Sequence, residues 1–188
     1  PELQAERRWL GLIAVACVPT AILGMSLKGF VEAVRVRPVA VGSALLVTAA
    51  ILVLASRLGR GSRTVREISV LDAVLVGIAQ GLAVIPGISR SGATVGMALW
   101  RHARPEAAVE FSLLVSVPAI LGANLMVWLG TSHAESGIEA GPLLFGFISA
   151  FAVGVLSLQA LRWLVAQNRF LPFAGYCAAL GLGAITVG

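Results

Sequence analysis

Arg90 stands between two serines and close to glycines in the run Pro86-Gly87-Ile88-Ser89-Arg90-Ser91-Gly92-Ala93-Thr94, within a region otherwise apolar enough for a bilayer. A guanidinium in such surroundings is costly unless it faces a cavity and meets an anion, so an intramembrane arginine marks a candidate functional site. Its neighbours point to the kind of anion. Ser89, Ser91 and Thr94 carry hydroxyl donors, and Gly87 and Gly92 let backbone N–H groups come close to a ligand. A helix beginning near Ser91 would add free N–H groups and a positive dipole end. Arg90 can grip two phosphate oxygens at once, which a lysine cannot. Together these residues can hold phosphate and stabilise charge on a phosphoryl group in transfer. The run is not a P-loop, because it holds no Gly-Lys-Ser or Gly-Lys-Thr and no strand precedes it.

Glycine and serine also serve close packing between membrane helices, so Ser91 and Thr94 taken singly stay open between the two roles. Gln80, upstream of the run, would either cap a loop carbonyl or line the cavity. Asp72 reads as an interfacial residue that stabilises a helix start, and Glu110 as one that snorkels or pairs with an arginine. Ser112 and Ser116, four residues apart, read as packing residues, and Asn124 lies in the same apolar run. His102 and His133 fall in loops. No acid pair and no histidine near the run supplies a general base or a metal site.

The elements that must position Arg90 follow from composition. Of 188 residues, 58% are hydrophobic and 12% charged, against about 45–50% and about 25% in soluble domains. The chain is therefore read as an integral membrane protein and a single membrane domain over 1–188. Its net charge of +5 does not imply nucleic acid, since the arginines are scattered between apolar runs rather than gathered on one polar face. Cys17 and Cys177 lie inside apolar runs and offer neither a disulfide framework nor metal spacing. Residues 2–8 have no signal-peptide layout, and a start at Pro1 fits an internal piece of a longer polypeptide.

Five runs approach the roughly 20 residues needed to cross a bilayer: about 9–27, 38–56, 107–129, 141–161 and 170–187. Pro19 and Pro118 should kink their helices without ending them. Trp9, Trp100, Trp128 and Trp163 fall at segment ends, as an interfacial belt requires. The motif at about 70–100 differs, with two short pieces, about 70–85 and 92–100, broken at Pro86-Gly87. If it enters and returns, Arg7, Arg8, Arg57, Arg60, Arg63, Arg66, Arg101, Arg104, Arg162 and Arg169 share one side, against Lys28, Arg35 and Arg37 on the other. If it crosses, the ten-against-three bias becomes six against seven. The positive-inside rule thus selects a re-entrant pair entering from the cytoplasmic side. Broken helices at midplane are how many transporters and related folds build sites from inverted repeats. One span and one matching re-entrant pair would complete that symmetry, and this sequence does not contain them.

On these residues the chain resembles the undecaprenyl pyrophosphate phosphatase family, the bacitracin-resistance membrane phosphatases. Stretch 77–94, ending in the arginine run, looks like the family's second signature, and the resemblance continues through 107–122, 168–177 and the proline-bearing stretch 14–24. It implies an enzyme that removes one phosphate from undecaprenyl pyrophosphate, regenerating the carrier lipid for peptidoglycan synthesis. It also implies an inverted-repeat fold in the bacterial inner membrane, with the site facing the periplasmic side, and allows a homodimer. By that similarity Arg90 would clamp the pyrophosphate with Ser89, Ser91 and Thr94 as partners, and Gly87, Gly92 and Gln80 would belong to the substrate-binding set. The resemblance further implies a divalent cation, Mg or Ca. The family's other signature is a glutamate-rich re-entrant helix followed by a serine- and histidine-bearing loop, and it is not found in this sequence. It carries the acidic residues linked to the cation, the histidine and the proposed nucleophile. The expectation is therefore an all-α membrane protein with five transmembrane helices plus one re-entrant pair, unable to hydrolyse substrate as an isolated chain. Two other readings remain: a polyprenyl-phosphate transporter without hydrolysis, and a structural membrane module. An acidic-and-histidine re-entrant motif upstream in the same reading frame would favour the enzyme.

Overall fold

A computed structural model describes residues 2–58, 61–130 and 140–188, and these are helical nearly throughout. The order is α1 (Glu2–Ser26), α2 (Lys28–Arg35), α3 (Pro38–Leu58), a 3₁₀ turn at Val65–Glu67, α4 (Val70–Leu82), α5 (Arg90–Trp100), α6 (Pro105–Gly130), α7 (Ala140–Ala166) and α8 (Leu171–Val187). Among the described residues, four stretches are long and apolar enough to cross a membrane: Arg7–Ser26, Pro38–Arg57, Pro105–Gly130 and Gly141–Ala166. The apolar α8, at 17 residues, is about 26 Å long. Prolines fix several starts, where the missing N–H costs nothing: Pro38 and Pro105 open α3 and α6, and Pro172 lies in the first turn of α8. Pro19 and Pro118 sit inside continuous helices.

Two features depart from the sequence reading. The loop expected after the first run contains α2, whose Lys28, Glu32 and Arg35 recur at helical spacing and whose Val34 is buried. The break in the central motif is also wider than Pro86-Gly87: α4 ends at Leu82 and α5 starts at Arg90, one residue ahead of the expected Ser91. Ser89 sets that start, because its hydroxyl accepts the Gly92 N–H and makes Ser89 the N-cap.

The central motif turns back on itself. Arg101, just past α5, donates from Nε to Asp72 Oδ1 at 2.6 Å, and Asp72 lies in the first turn of α4. Arg63 reaches the other carboxylate oxygen at 2.7 Å. Ser69 caps α4 and exchanges hydrogen bonds with Asp72, its N–H donating to Oδ2 at 2.8 Å and its hydroxyl accepting the Asp72 N–H at 3.2 Å. Arg8 donates to the carbonyls of Arg66 and Ile68, the Arg104 N–H to the Arg63 carbonyl, and Asn168 Nδ2 to the Ser56 carbonyl. One end of the bundle thus gathers the starts of α1, α4 and α6 with the ends of α3, α5 and α7. Arg169 at this end lies over Trp163, 5.1 Å from the ring centroid.

Above this base, close helix contacts replace large side chains with small ones. At Gly77 on α4, an added Cβ would lie 2.2 Å from the Ala16 carbonyl and 2.7 Å from Pro19 Cγ on α1. Gly42 of α3 and Gly181 of α8 face each other in the same way. The core runs through Ala16, Val76, Val95, Leu99, Phe111 and Val115. The outer part of α6 and nearly all of α7 leave apolar side chains exposed, Phe145 at 78% and Leu121 at 64% among them, as expected of helices whose surroundings are apolar.

Two outcomes follow from this packing. Gly77→Leu should separate α1 from α4 and cost about 3 kcal/mol or more, read as a large fall in Tm in detergent or failure to accumulate. Asp72 titrates with a definite sign. Burial, the largest single influence, pushes its pKa up, but hydrogen bonds from Arg63, the Ser69 N–H, Arg101 and the Ser69 hydroxyl outweigh it and hold the carboxyl well below the usual range. The stabilisation is therefore full at neutral pH and is lost as pH falls below about 4. Asp72→Asn should lower stability at pH 7 by about 2–3 kcal/mol, less than for a fully buried pair because both arginines remain partly exposed. It should also flatten the acid dependence of Tm.

Candidate functional site

Seven residues, Ala83 to Ser89, separate α4 from α5, and their backbone groups must be satisfied among apolar helices. The turn is built in steps: the Ile85 N–H donates to the Leu82 carbonyl at 3.1 Å, and the Ile88 N–H to the Ile85 carbonyl at 3.0 Å. Gly87 then takes φ +97°, a left-handed conformation that side chains resist. It also lies so close to α3 that a Cβ would be 2.5 Å from the Val41 carbonyl and 2.8 Å from Ala44 Cβ. Two further backbone groups go to one side chain. Thr48 of α3, 1% exposed, donates to the Gly87 carbonyl at 2.8 Å and accepts the Ser89 N–H at 3.0 Å. Sequence reasoning passed over Thr48; its signal was a hydroxyl in the middle of an apolar run.

The candidate residues separate into those held and those left open. Ser89 Oγ accepts the Gly92 N–H at 3.1 Å. Thr94, 1% exposed, donates to the Arg90 carbonyl at 2.8 Å, so its single proton is used. Its oxygen contacts the buried Ser112 hydroxyl of α6, which must then be the donor. Gln80, 2% exposed, points its Nε2 at Thr20 Oγ1 (3.3 Å) and the Val115 carbonyl (3.4 Å). The Val115 carbonyl adjoins that of Leu114, which Pro118 leaves without its helical donor. Gln80 Oε1 is buried without a partner among the described residues.

Arg90 and Ser91 are different. Arg90 is half-buried, Ser91 is exposed, and neither side chain has a hydrogen-bond partner among the described residues. The ion pairs among those residues both go to Asp72 at the base of the hairpin, so no described carboxylate pairs with Arg90. The N–H groups of Arg90 and Ser91, in the first turn of α5, also have no partner there. A forked guanidinium, two backbone donors and a free hydroxyl thus sit on two adjacent residues at a helix N-terminus, a donor set suited to an anion with several oxygens.

A divalent cation would need several oxygen or nitrogen ligands together. No three of His, Cys, Asp and Glu come together among the described residues, and both Asp72 oxygens are taken by arginines. These residues do not fit such an ion, and no chemistry is assigned to one here. Glu110 is exposed on α6, and His102 sits at φ +61° with its carbonyl accepting the Arg63 N–H. Asn124 and Ser116 donate to carbonyls of α6 itself. His133 lies outside the described residues.

Beside the loop runs an apolar groove of about 220 Å³ between α3, α4 and α5. Ile88, next to Ser89, lines it together with Val47 and Ile51 of α3 and Leu82, Met97 and Trp100 of the hairpin helices. Gly96 forms part of its floor, where a Cβ would be 3.0 Å from Ile51 Cγ2.

Residues 2–183 match the family model described as bacitracin resistance protein BacA. An undecaprenyl-diphosphatase of Desulforapulum autotrophicum is 40% identical over 181 residues, 96% of this chain and 65% of the relative. Another, of Methanosphaera stadtmanae, is 39% identical over 177 residues, 94% of this chain and 63% of the relative. A third, of Treponema denticola, is 34% identical over 183 residues, 97% of this chain and 67% of the relative. The chain therefore spans about two thirds of the length of these relatives. With a match from residue 2 to residue 183, the chain belongs to the bacitracin resistance protein BacA family.

Proposed function

We propose that the chain provides the phosphate-clamping part of an undecaprenyl pyrophosphate phosphatase, an enzyme of the bacterial inner membrane that returns the carrier lipid to its monophosphate form. The observation that carries this reading is the unpaired Arg90 guanidinium beside the free N–H groups of Arg90 and Ser91. The names of the relatives supply the substrate. Arg90 would hold phosphate oxygens bidentately, with the Ser91 hydroxyl and the two N–H groups taking others. These donors would stabilise charge that grows on the phosphoryl group in transfer. The described residues bring no carboxylate or histidine into hydrogen-bonding contact with the loop, so they are assigned binding and charge stabilisation and no proton transfer.

The membrane arrangement we propose has α1, α3, α6, α7 and α8 crossing, with α4 and α5 as a re-entrant pair. At 13 residues α4 is about 20 Å long, short of the roughly 30 Å hydrocarbon core. The arginine-rich base lies on the cytoplasmic side under the positive-inside rule, which sets the loop at mid-depth with its site facing the periplasm. The apolar groove would receive the first isoprene units of the lipid tail, since it starts at Ile88 beside the phosphate donors.

Phosphate release from undecaprenyl pyrophosphate by the full-length protein tests the reading. Arg90→Ala should lower kcat/KM by on the order of 100-fold or more; activity within about twofold of wild type would remove Arg90 from the site. The groove has a separate readout. Gly96→Leu should fill it and lower kcat/KM on undecaprenyl pyrophosphate by about tenfold, as loss of buried apolar contact implies, while turnover of inorganic pyrophosphate, which has no isoprenoid tail, stays near wild type. Equal losses on both substrates would sink the tail assignment.

A further inference from the structure

We infer that Thr48 is a positioning residue for the phosphate site, a latch that sets the aim of Arg90 without touching substrate. The inference rests on the phosphate-clamp reading of Arg90 and concerns how that clamp is held. Val41, Ala44 and Thr48 are spaced three and four apart on α3, so they share one helix face. The loop lies against that face: the Gly87 Cβ position meets Val41 and Ala44, and the Thr48 hydroxyl bonds on either side of Ile88. Thr48 uses its proton on the Gly87 carbonyl and a lone pair on the Ser89 N–H, clipping the turn at the residue where the backbone is left-handed.

This location gives Thr48 leverage. Ser89 is the N-cap of α5, and Arg90 is the next residue. The Ser89 backbone therefore sets the direction in which the first turn of α5, its free N–H groups and the guanidinium stem leave the loop. Without the hydroxyl, the Gly87 carbonyl and the Ser89 N–H would be unpaired among apolar side chains, and the loop would shift to find other partners. A displacement of about 1 Å at a site of this kind can cost on the order of 100-fold in rate. The other stay on α5, Thr94 with Ser112, grips the Arg90 carbonyl from the α6 side and would remain. The first turn would then pivot about Thr94 rather than unfold.

The test is the kinetics of the full-length protein on undecaprenyl pyrophosphate with Thr48→Val, which keeps the shape and removes the hydroxyl, and Thr48→Ser, which restores it. Arg90→Ala is measured beside them. Fewer folded molecules would lower kcat alone, whereas a misaimed clamp also weakens substrate binding. Thr48→Val should raise KM about fivefold or more and lower kcat/KM by on the order of tenfold to 100-fold, with Thr48→Ser within about threefold of wild type. Should Thr48→Val not fold, Thr48→Cys, which offers only a weak donor and acceptor, carries the same expectation. A folded Thr48→Val or Thr48→Cys protein with wild-type KM, beside an inactive Arg90→Ala, overturns the latch alone. Wild-type activity in Arg90→Ala overturns the phosphate site and the latch with it.

Discussion

A helix that breaks among apolar neighbours leaves backbone donors and acceptors that water cannot reach, and each must find a partner within the protein. In this chain the break is seven residues long, and its partners are few and specific. Thr48 takes the Gly87 carbonyl and the Ser89 N–H, Ser89 takes the Gly92 N–H, and Thr94 takes the Arg90 carbonyl. Among the donors left over are the N–H groups of Arg90 and Ser91, alongside the exposed Ser91 hydroxyl. The site is defined by what the loop leaves unpaired.

The arginines show the same division between structure and function. Arg63 and Arg101 converge on Asp72 and close the base of the hairpin, and Arg8 ties α1 to the segment before α4 through two carbonyls. Arg90, beyond the far end of α4, faces no carboxylate among the described residues. A half-buried arginine kept without an internal anion is destabilising in the empty state. On the proposed function, a phosphate group would supply the missing charge, with oxygens suited to a forked donor.

Much of this was readable from residue types. The five apolar runs become helices within a few residues of their expected limits apart from the longer N-terminal part of α1 and five further residues on α7, because long apolar runs leave few alternatives to helix in a bilayer. The arginine count favoured a segment that returns, and the Arg101–Asp72 contact shows the chain turning back. Short elements were less legible. The eight residues of α2 mix charged and apolar side chains too briefly to register as a run. The start of α5 depended on a cap, and both Ser89 and Ser91 had the chemistry to provide it. Thr48 showed only as a hydroxyl in an apolar run, because its importance comes from contacts 39 and 41 residues away in sequence, which no local pattern encodes. Thr94 and Ser112 were visible as hydroxyls, but their pairing depends on how α5 lies against α6.

The proposed function takes lipid pyrophosphate as the ligand, and it stands on Arg90 being the forked contact to it. Equilibrium binding of undecaprenyl pyrophosphate to the purified full-length protein, wild type against Arg90→Lys, tests that claim most directly. The lysine keeps the charge and loses the planar pair of donors. The account predicts binding weaker by about tenfold or more, as loss of a charge-assisted hydrogen bond implies. Affinity equal to wild type would contradict it.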